Sequence, residues 1–377
     1  MKYINLKNLF YQGYYQGIDF RKGMGNKEAI EDYNANIFRR RNQKMVQYPP
    51  HERYLQLLDL EERALPHYQA ITLETIYPGL LIGSGNVHET NTKEELKLGF
   101  FFDHTTGLPM VPGSSVKGVL RNAFPNFEPQ SDLGHLPKTE VAGAPKVQLI
   151  QAFCSTLQTK AGDELAALVH QLEYALFAGY DIPKTIADKK VVYQSSQHRC
   201  RFLDAIIDTP APNGRIVGTD ALTPHGTNPL KNPKPLPFLK ILPQVKIKFQ
   251  FQLLPVTLQE GLQIEVSEIK ALLQHILLTY GVGAKTNVGY GQFTTLPEQK
   301  VFEKKQEISG KLINKVYDQE NKNNPYKLLF SIEGNPTQPV ATVNDKIFDK
   351  YEIGEEMDLI VTSVTDKGAI KYVKIAK

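Results

Sequence analysis

The stretch GVGAKTNVGYGQF, from Gly281 to Phe293, contains four glycines, one lysine and one tyrosine. It follows SEIKALLQHILLTY, whose apolar residues recur at helical spacing and predict an amphipathic helix over about 268–280, with Ser267 as its N-cap. Glycine loses more backbone freedom on folding than any other residue. Four glycines together therefore indicate a tight turn, a close approach of the backbone to a ligand, or a phosphate cradle. The residues YGQFTTL that follow predict a strand.

The order helix, loop, strand argues against a nucleotide-hydrolysing P-loop. That motif reads G-x-x-x-x-G-K-[ST] and leads from a strand into a helix whose N-terminus faces the phosphate. Here GAKT lacks the spacing, and the loop instead offers main-chain N–H groups, the cation Lys285 and the ring of Tyr290, which is suited to stacking. Such a loop can follow a sugar–phosphate backbone without reading its sequence. The alternative is a C-cap at Gly281 followed by a tight turn, which accounts for one or two glycines.

A second candidate site is GLPMVPGSSVKGVLRN, from Gly107 to Asn122. Its prolines predict an extended approach to a short helix that Ser114 or Ser115 caps, and free N–H groups at such a helix start attract anions. Lys117 and Arg121 lie four residues apart and share one helical face. The alternative is an ordinary capped surface helix. We expect the two candidate segments to line one shallow basic groove.

Composition describes an ordinary soluble globular chain. It has 377 residues, 41% hydrophobic and 22% charged, and its net charge of +4 permits an anionic partner without requiring one. No apolar run reaches the roughly 18 residues of a membrane span, and the opening MKYINLKNLFYQGYY has no signal-peptide core, so we expect a cytoplasmic protein without a membrane partner. The cysteines are Cys154 and Cys200, which excludes a disulfide framework, and Cys154 is expected in the core.

The remaining pattern predicts an α+β protein in several segments. Residues 1–65 form an N-terminal arm, 66–297 the α+β core, 298–307 a polar linker and 308–377 a small β-barrel of OB or S1 type, because five short strand-like runs follow one another there. Within the core, QVKIKFQFQLL alternates apolar and polar residues and predicts a half-buried strand. The barrel balances acidic and basic residues, which disfavours a strongly basic RNA surface, and docking of another protein is its alternative role.

The arm carries a basic cluster, NIFRRRNQK, between tyrosines. Its arginines, Arg39, Arg40 and Arg41, interleave with aromatic residues in a way that suits RNA phosphates and bases. A solvated arm or a subunit contact is an equally good interpretation, because charged runs are usually just solvated.

Together, GLPMVPGSSVKGVLR and YGVGAKTNVGYGQF resemble the RAMP superfamily of CRISPR RNA-binding proteins over about residues 66–297. LFAGY and RCRFLDAII are similar to further elements of that family, and FLDAIIDT with PLPFLKI more narrowly resembles the sixth Cmr subunit of type III-B effector complexes. The resemblance implies a ferredoxin-like (RRM-type) fold, single or as a tandem or degenerate pair. It implies a guide-RNA-binding subunit near the 3′ end of the CRISPR RNA, with target RNA and other Cmr RAMP subunits as partners. Carried over by motif, the RNA-backbone contacts are Ser114, Ser115, Lys117, Arg121, Gly281, Gly283, Lys285, Thr286, Asn287, Gly289 and Gly291.

Some relatives of this kind are ribonucleases, and a metal-independent endoribonuclease that processes precursor guide RNA is the alternative function. His104 and His225 lie in predicted loops near the RNA path, as candidate RNA contacts or as the acid and base of such a reaction. Asp103, Asp204 and Asp220 are candidate carboxylates. No His, Asp or Glu cluster has recognisable metal-ligand spacing, and we expect no cofactor, no metal and a non-catalytic chain.

Overall fold

The computed structural model describes residues 5–20, 27–48, 65–83, 92–96, 100–125, 145–178, 184–185, 191–192, 200–223, 235–296, 302–318, 325–335, 337–365 and 369–376. The chain divides into two compact units, the first from Met1 to Thr295 and the second from Leu296 to Lys377.

The elements follow one another as helices and strands of very different lengths. The α-helices are α1 (Leu6–Asn8), α2 (Lys27–Val46), α3 (Gly113–Asn122), α4 (Pro145–Phe153), α5 (Gly162–Glu173), α6 (Val266–Tyr280) and α7 (Asp345–Lys350). The strands of the first unit are β1 (Tyr68–Thr75), β2 (Met110–Val111), β3 (Lys184–Thr185), β4 (Val191–Val192), β5 (Cys200–Phe202), β6 (Ala205–Thr209), β7 (Val217–Leu222), β8 (Leu236–Ile241), β9 (Lys246–Leu253), β10 (Val256–Thr257), β11 (Gln263–Ile264) and β12 (Phe293–Thr295). Those of the second are β13 (Glu307–Tyr317), β14 (Tyr326–Ser331), β15 (Val340–Val343), β16 (Glu356–Val364) and β17 (Ile370–Ile375).

The first unit is built on a sheet in the order β12-β1-β9-β6-β2, with β5 also paired to β9. Helix α3 follows β1, and α6 lies between β9 and β12, so β1, α3, β6, β9, α6 and β12 form a βαββαβ unit whose strands take the order 4-1-3-2. That is the predicted ferredoxin-like fold. In the described residues we see one such unit rather than a tandem pair.

Strand β9 is the centre of this sheet, and its alternation explains its position. The predicted inward residues Val245, Ile247, Phe249 and Phe251 are all buried. The polar face is less open than a half-buried strand predicts, because Gln250 is also buried and donates to the main-chain oxygen of Asp204 while accepting from Tyr68. The Gln250 side chain is therefore satisfied within the protein.

Helix α6 buries the predicted apolar stripe, which consists of Ile269, Leu272, Leu273, Ile276 and Leu277. Its start differs from the prediction. The N-cap is Glu265, whose side chain accepts from the main chain of Glu268 while Glu268 binds the main chain of Glu265 in return. This reciprocal capping box replaces the predicted cap by Ser267, which lies inside the helix.

The described part of the predicted N-terminal arm belongs to the core of the first unit. Leu6, Leu9 and Phe10 are buried in the same apolar cluster as the sheet, and α2 adds Phe38 and Met45 to that cluster. The burial of these large side chains removes a substantial apolar area from water. Residues 5–20 and 27–48 are therefore not a separate arm.

The second unit is a closed barrel with strand order β13-β14-β15-β17-β16 and its own apolar core. Strands β15 and β17 are parallel, the other pairs are antiparallel, and α7 lies between β15 and β16 in the chain. This order, with a helix between the third and fourth strands, is that of the OB fold, as the five strand-like runs predicted.

Candidate nucleic-acid interface

The glycines of the loop are required by close main-chain contacts inside the protein. At Gly291, where φ is +69°, a Cβ atom would lie 1.8 Å from the carbonyl oxygen of Val282, and at Gly281, where φ is +68°, 2.4 Å from that of Gly291. At Gly283 the distance to the carbonyl oxygen of Leu81 would be 2.5 Å. L-residues rarely adopt such φ values, and no side chain fits in this space. Intramolecular packing thus accounts for three of the four glycines.

Many main-chain N–H groups of the loop are already bound. Val282 donates to Gly291, Ala284 to Leu81, Tyr290 to Lys285 and Gly291 to Gly79. Among the described residues, no acceptor is seen for the N–H groups of Gly283, Lys285, Thr286 and Asn287. The predicted bare amides are thus confined to the crest of the loop rather than spread along its length.

This crest, residues 283–288, is largely exposed. Lys285 has φ of 60° and begins a 3₁₀ turn, Thr286–Val288, that ends at Gly289, where φ is 95°. The Lys285 and Asn287 side chains face solvent, and Val288 is 60% exposed. The crest therefore exposes the Lys285 ammonium group and several main-chain N–H groups, while close contacts hold the main chain on either side of it.

Tyr290 does not offer its ring for stacking. It is 7% exposed, packs edge-on against Phe238, and donates its hydroxyl to Oδ2 of Asp220 at 2.8 Å. Nζ of Lys240 lies 2.5 Å from the same oxygen. The predicted base-stacking role of Tyr290 is therefore wrong for this conformation, because the ring joins the loop to the β7–β8 hairpin instead.

The electrostatics of this junction follow from its contacts. Burial alone would raise the pKa of Asp220, but hydrogen bonds from Lys240 and Tyr290, together with the Lys240 charge, hold that pKa below its ordinary value. Burial and the neighbouring Asp220 carboxylate raise the pKa of Tyr290. The stable state is a carboxylate that accepts from a neutral phenol and an ammonium group.

The start of α3 carries an anion supplied by the protein itself. The N–H of Gly113 donates to Oδ1 of Asp204 at 2.7 Å, and a Cβ atom at Gly113 would lie 2.3 Å from the carbonyl oxygen of Phe202. The N-cap position is Pro112, and neither Ser114 nor Ser115 caps the helix with its side chain, contrary to the prediction. Asp204 thus partly fills the anion site expected here.

The two basic residues of α3 have different environments. Nε of Arg121 donates to Oε1 of Glu173 at 2.9 Å, while the Arg121 side chain remains 49% exposed. Lys117, one turn earlier, is partly exposed, and the described residues contain no ion-pair partner for it. The negative charge of Glu173 offsets the positive charge of Arg121. Lys117 and the exposed Ser114 are therefore more available to contact a phosphate.

The two candidate segments lie at different positions along the sheet. Gly113 is anchored through Asp204 beside Gln250, which is opposite Ala70 on β1. The glycine loop lies beyond Thr75, at the end of that strand. Five residues of strand correspond to about 17 Å, and among the described residues no hydrogen bond joins the segments. The segments are therefore offset along the sheet, and a groove that both of them line stays a prediction.

A groove of about 490 Å³ lies between α2 and β7. Arg39 lines it, and so does Asp220, which accepts the hydrogen bond from the Tyr290 hydroxyl. The exposed Arg215 also lines it, a residue that the sequence analysis missed although it sits in the turn-forming run PNGR. Arg39 binds Asn36 and Glu94. The groove therefore holds both arginine cations and carboxylates.

The other basic candidates, Arg40 and Arg41, differ in whether groups of the protein hold their side chains. The guanidinium of Arg41 donates to the carbonyl oxygens of Tyr14 and Gln16, so it fixes α2 to the N-terminal segment. Arg40 is exposed, and the part of the chain that the structure describes contains no partner for it. Of the predicted cluster, Arg40 is thus the most accessible and Arg41 the least.

Of the two histidine candidates, the structure describes His104 alone. Nδ1 of His104 lies within hydrogen-bond distance of Nζ of Lys7 at the surface, and His225 lies outside the described residues. The candidate carboxylate Asp103 accepts from the main chain of Thr105 and Thr106 and so orders its own turn. Three His, Cys, Asp or Glu side chains arranged to hold a metal are not found in the described ranges.

Two further findings bear on the chemical class. Cys154 is buried, as predicted, and burial raises the pKa of its thiol to about 12, which disfavours a reactive thiolate. None of the helices in the described part of the chain is long and apolar enough to cross a membrane.

Comparison with known families decides the assignment. The sequence model of the RAMP superfamily matches residues 72–294, which include both candidate segments and all but the ends of the ferredoxin-like unit. The chain belongs to the RAMP superfamily. No curated protein matches this RAMP protein in sequence.

Several solved structures are similar to this RAMP protein. A cryo-EM structure of the type III-B Cmr-beta complex bound to cognate target RNA contains a chain 17% identical, with 76% of this chain and 84% of that chain covered and a TM-score of 0.43. The crystal structure of Cmr6 from Pyrococcus furiosus is 17% identical, with 62% and 100% covered and a TM-score of 0.31. A type III-A Csm–crRNA–target RNA complex contains a chain 14% identical, with 46% and 43% covered and a TM-score of 0.20.

Proposed function

We propose that this RAMP protein is a non-catalytic RNA-binding subunit of a CRISPR type III-B effector complex. It would hold the guide RNA backbone near its 3′ end and support recognition of target RNA beside other Cmr RAMP subunits. The observation that carries the proposal is the crest of the glycine loop, where close main-chain contacts present Lys285 and the N–H groups of Thr286 and Asn287 to solvent.

Such a surface suits a guide RNA for a physical reason. Each guide has a different spacer, so a subunit that serves all of them has to bind phosphate and ribose rather than base edges. Main-chain N–H groups and lysine ammonium groups do this without regard to sequence. The crest and Lys117 would contact separate stretches of a strand that runs along the sheet, because about 17 Å of β1 separates the two segments.

The test uses the full chain and single-stranded RNAs of unrelated sequence. Lys117→Ala combined with Lys285→Ala removes two free ammonium groups, and we expect weaker binding by a similar factor for every RNA. The slope of log affinity against log salt should fall by about 1.4, since each phosphate contact on a single strand contributes about 0.7. Lys160→Ala, which removes a lysine that pairs with Glu164 in α5, is the control for charge alone. Unchanged affinity in the double variant, or a loss restricted to one RNA sequence, contradicts the proposal.

The position on the guide can be tested separately in the reconstituted complex. A photoreactive nucleotide placed near the 3′ end of the guide should cross-link to the peptide that contains Lys285, and the same group near the 5′ end should not. Cross-linking from the 5′ position alone would assign the subunit to the opposite end.

A metal-independent endoribonuclease is the second candidate, because Lys7 and His104 bring a cation and an imidazole together at the surface. Acid–base cleavage requires two such groups near the 2′-hydroxyl and the leaving oxygen. The isolated chain would then cut repeat RNA in the presence of a chelator, and His104→Ala would abolish the cut. Absence of product after long incubation removes this candidate.

A further inference from the structure

The second unit has a cleft at the place where its parallel strands separate. Strands β15 and β17 pair at Val340 and Tyr372. Towards α7 they border a cavity of about 710 Å³, lined by the ends of both strands, the start of β14 and α7. The OB fold commonly binds oligonucleotides on the surface of its second and third strands, here β14 and β15.

Two partly buried aromatic rings line this cleft, and a third ring is exposed beside it. Tyr326 and Tyr351 line it. Tyr372 is 46% exposed and lies two residues before Lys374 on β17, so both side chains project from the same face of that strand. Lys374 is itself part of the cleft lining, which places the Tyr372 ring beside its mouth.

Cations accompany these rings. Nζ of Lys350 lies 5.1 Å from the ring centre of Tyr351, and Nζ of Lys371 lies 5.9 Å from that of Tyr372. Lys350, Lys371 and Lys374 form no ion pair within the described residues. The carboxylate in the lining is Asp345, which accepts from the main chain of Lys346. The cleft and its mouth therefore carry an excess of positive charge, although the barrel as a whole is nearly balanced.

We propose that this cleft, with the exposed ring of Tyr372 at its edge, binds single-stranded nucleic acid. A single strand alternates phosphates with unstacked bases, and the lysines together with the exposed Tyr372 and the partly buried tyrosines of the lining match both groups. An acidic protein would match the lysines but leave the rings unexplained. No residue of the first unit enters the proposal, so it stands independently of the function proposed above.

The first experiment locates the contact on the full chain. A ten-nucleotide oligouridylate that carries 5-bromouridine is irradiated with the protein, and the cross-linked peptides are mapped. We expect cross-links in residues 345–356 or 369–376. Cross-links confined to the first unit overturn the proposal.

The second experiment measures affinity in the full chain that already carries Lys117→Ala and Lys285→Ala, so that contacts by those residues do not mask the barrel. Labelled oligouridylate and oligodeoxythymidylate decamers serve as separate probes, which shows whether RNA or DNA is preferred. Lys350→Ala with Lys374→Ala should lower the salt slope by about 1.4. Lys304→Ala with Lys311→Ala is the control. Lys304 precedes β13 and Lys311 lies in its first half, neither lines the cleft, and their removal should leave the slope unchanged.

A third pair of variants tests stacking itself. Tyr372→Ala should weaken binding about five-fold or more, whereas Tyr372→Phe retains the ring and should bind as the parent does. Equal affinity for all three proteins, or an equal effect of the cleft and control lysine pairs, would falsify the assignment. Chemical denaturation of Tyr372→Ala separates a folding defect from a lost contact, because a lost contact weakens binding in a variant that still unfolds cooperatively.

Discussion

Tyr290 and Asp220 are joined by a hydrogen bond of 2.8 Å that ties the glycine loop to the β7–β8 hairpin. The two residues are 70 positions apart in the chain, and Lys240 of β8 completes the junction. The loop is thus held at its base by close glycine contacts and at its C-terminal side by a charged hydrogen bond, while its crest stays exposed.

Removal of the Tyr290 hydroxyl should destabilise the protein without removing an RNA contact. For Tyr290→Phe we expect a loss of about 1.5–3 kcal/mol in the free energy of unfolding, the usual contribution of a hydrogen bond to a charged group. Tyr77→Phe, at a ring that is 83% exposed, is the control and should change stability little. Chemical denaturation checks both. If Tyr290→Phe were as stable as the parent but bound RNA poorly, the ring would be a nucleic-acid contact after all.

The same junction predicts a dependence of stability on alkaline pH. The pKa of Tyr290 is raised in the folded protein, so the folded state holds this proton more tightly than the unfolded state, whose phenol titrates near 10.0. The contribution is complete below pH 10 and is lost as the pH rises towards the folded pKa. The stability difference between the parent and Tyr290→Phe should therefore be constant between pH 8 and pH 9 and shrink as the pH rises from 10 to 11. A constant difference over this range would contradict the raised pKa.

Two glycine substitutions should have opposite effects on stability. In Gly291→Ala the new Cβ would meet the carbonyl oxygen of Val282 at a positive φ, and we expect a loss of several kcal/mol or failure to fold. In Gly118→Ala nothing lies within 4 Å of the new Cβ inside helix α3, so stability should rise by about 0.5–1 kcal/mol. Thermal denaturation measures both changes. A gain in Gly291→Ala would show that the loop has another conformation.

Adjacent arginines of α2 should separate folding from binding. Arg41→Ala removes two hydrogen bonds to the main-chain oxygens of Tyr14 and Gln16, so we expect a loss of about 1–3 kcal/mol in unfolding free energy. Arg40→Ala removes an exposed charge and should change stability by less than about 0.5 kcal/mol. If the basic cluster contacts RNA, Arg40→Ala lowers affinity and its salt dependence while the fold is unchanged. Equal stability of the two variants would show that the Arg41 contacts are not made in solution.

Local patterns in the sequence were sufficient for several elements of the fold, but not for helix α2 or the β7–β8 hairpin, which the sequence analysis did not predict. The alternation in β9, the apolar stripe of α6 and the five strand-like runs of the barrel each depend on neighbouring residues, because side-chain direction repeats every two residues in a strand and every 3.6 in a helix. From the residue type alone, a tight turn, a close approach of the backbone to a ligand and a phosphate cradle all stayed open as explanations of the glycines, and the structure shows close approaches to the protein's own main chain. What the backbone approaches was not available from that argument.

The sequence by itself determined the strongly periodic strands and helices, the loop that needs backbone without side chains, and the family to which the motifs are similar. The tertiary structure alone decided which polar groups remain free. Asp204, 91 residues away in the chain, accepts a hydrogen bond from the N–H of Gly113, and Asp220 accepts one from the hydroxyl of Tyr290. The reason is physical. Propensity and periodicity act between neighbours in the chain, whereas a hydrogen bond or an ion pair depends on distances that exist only after distant segments have packed together.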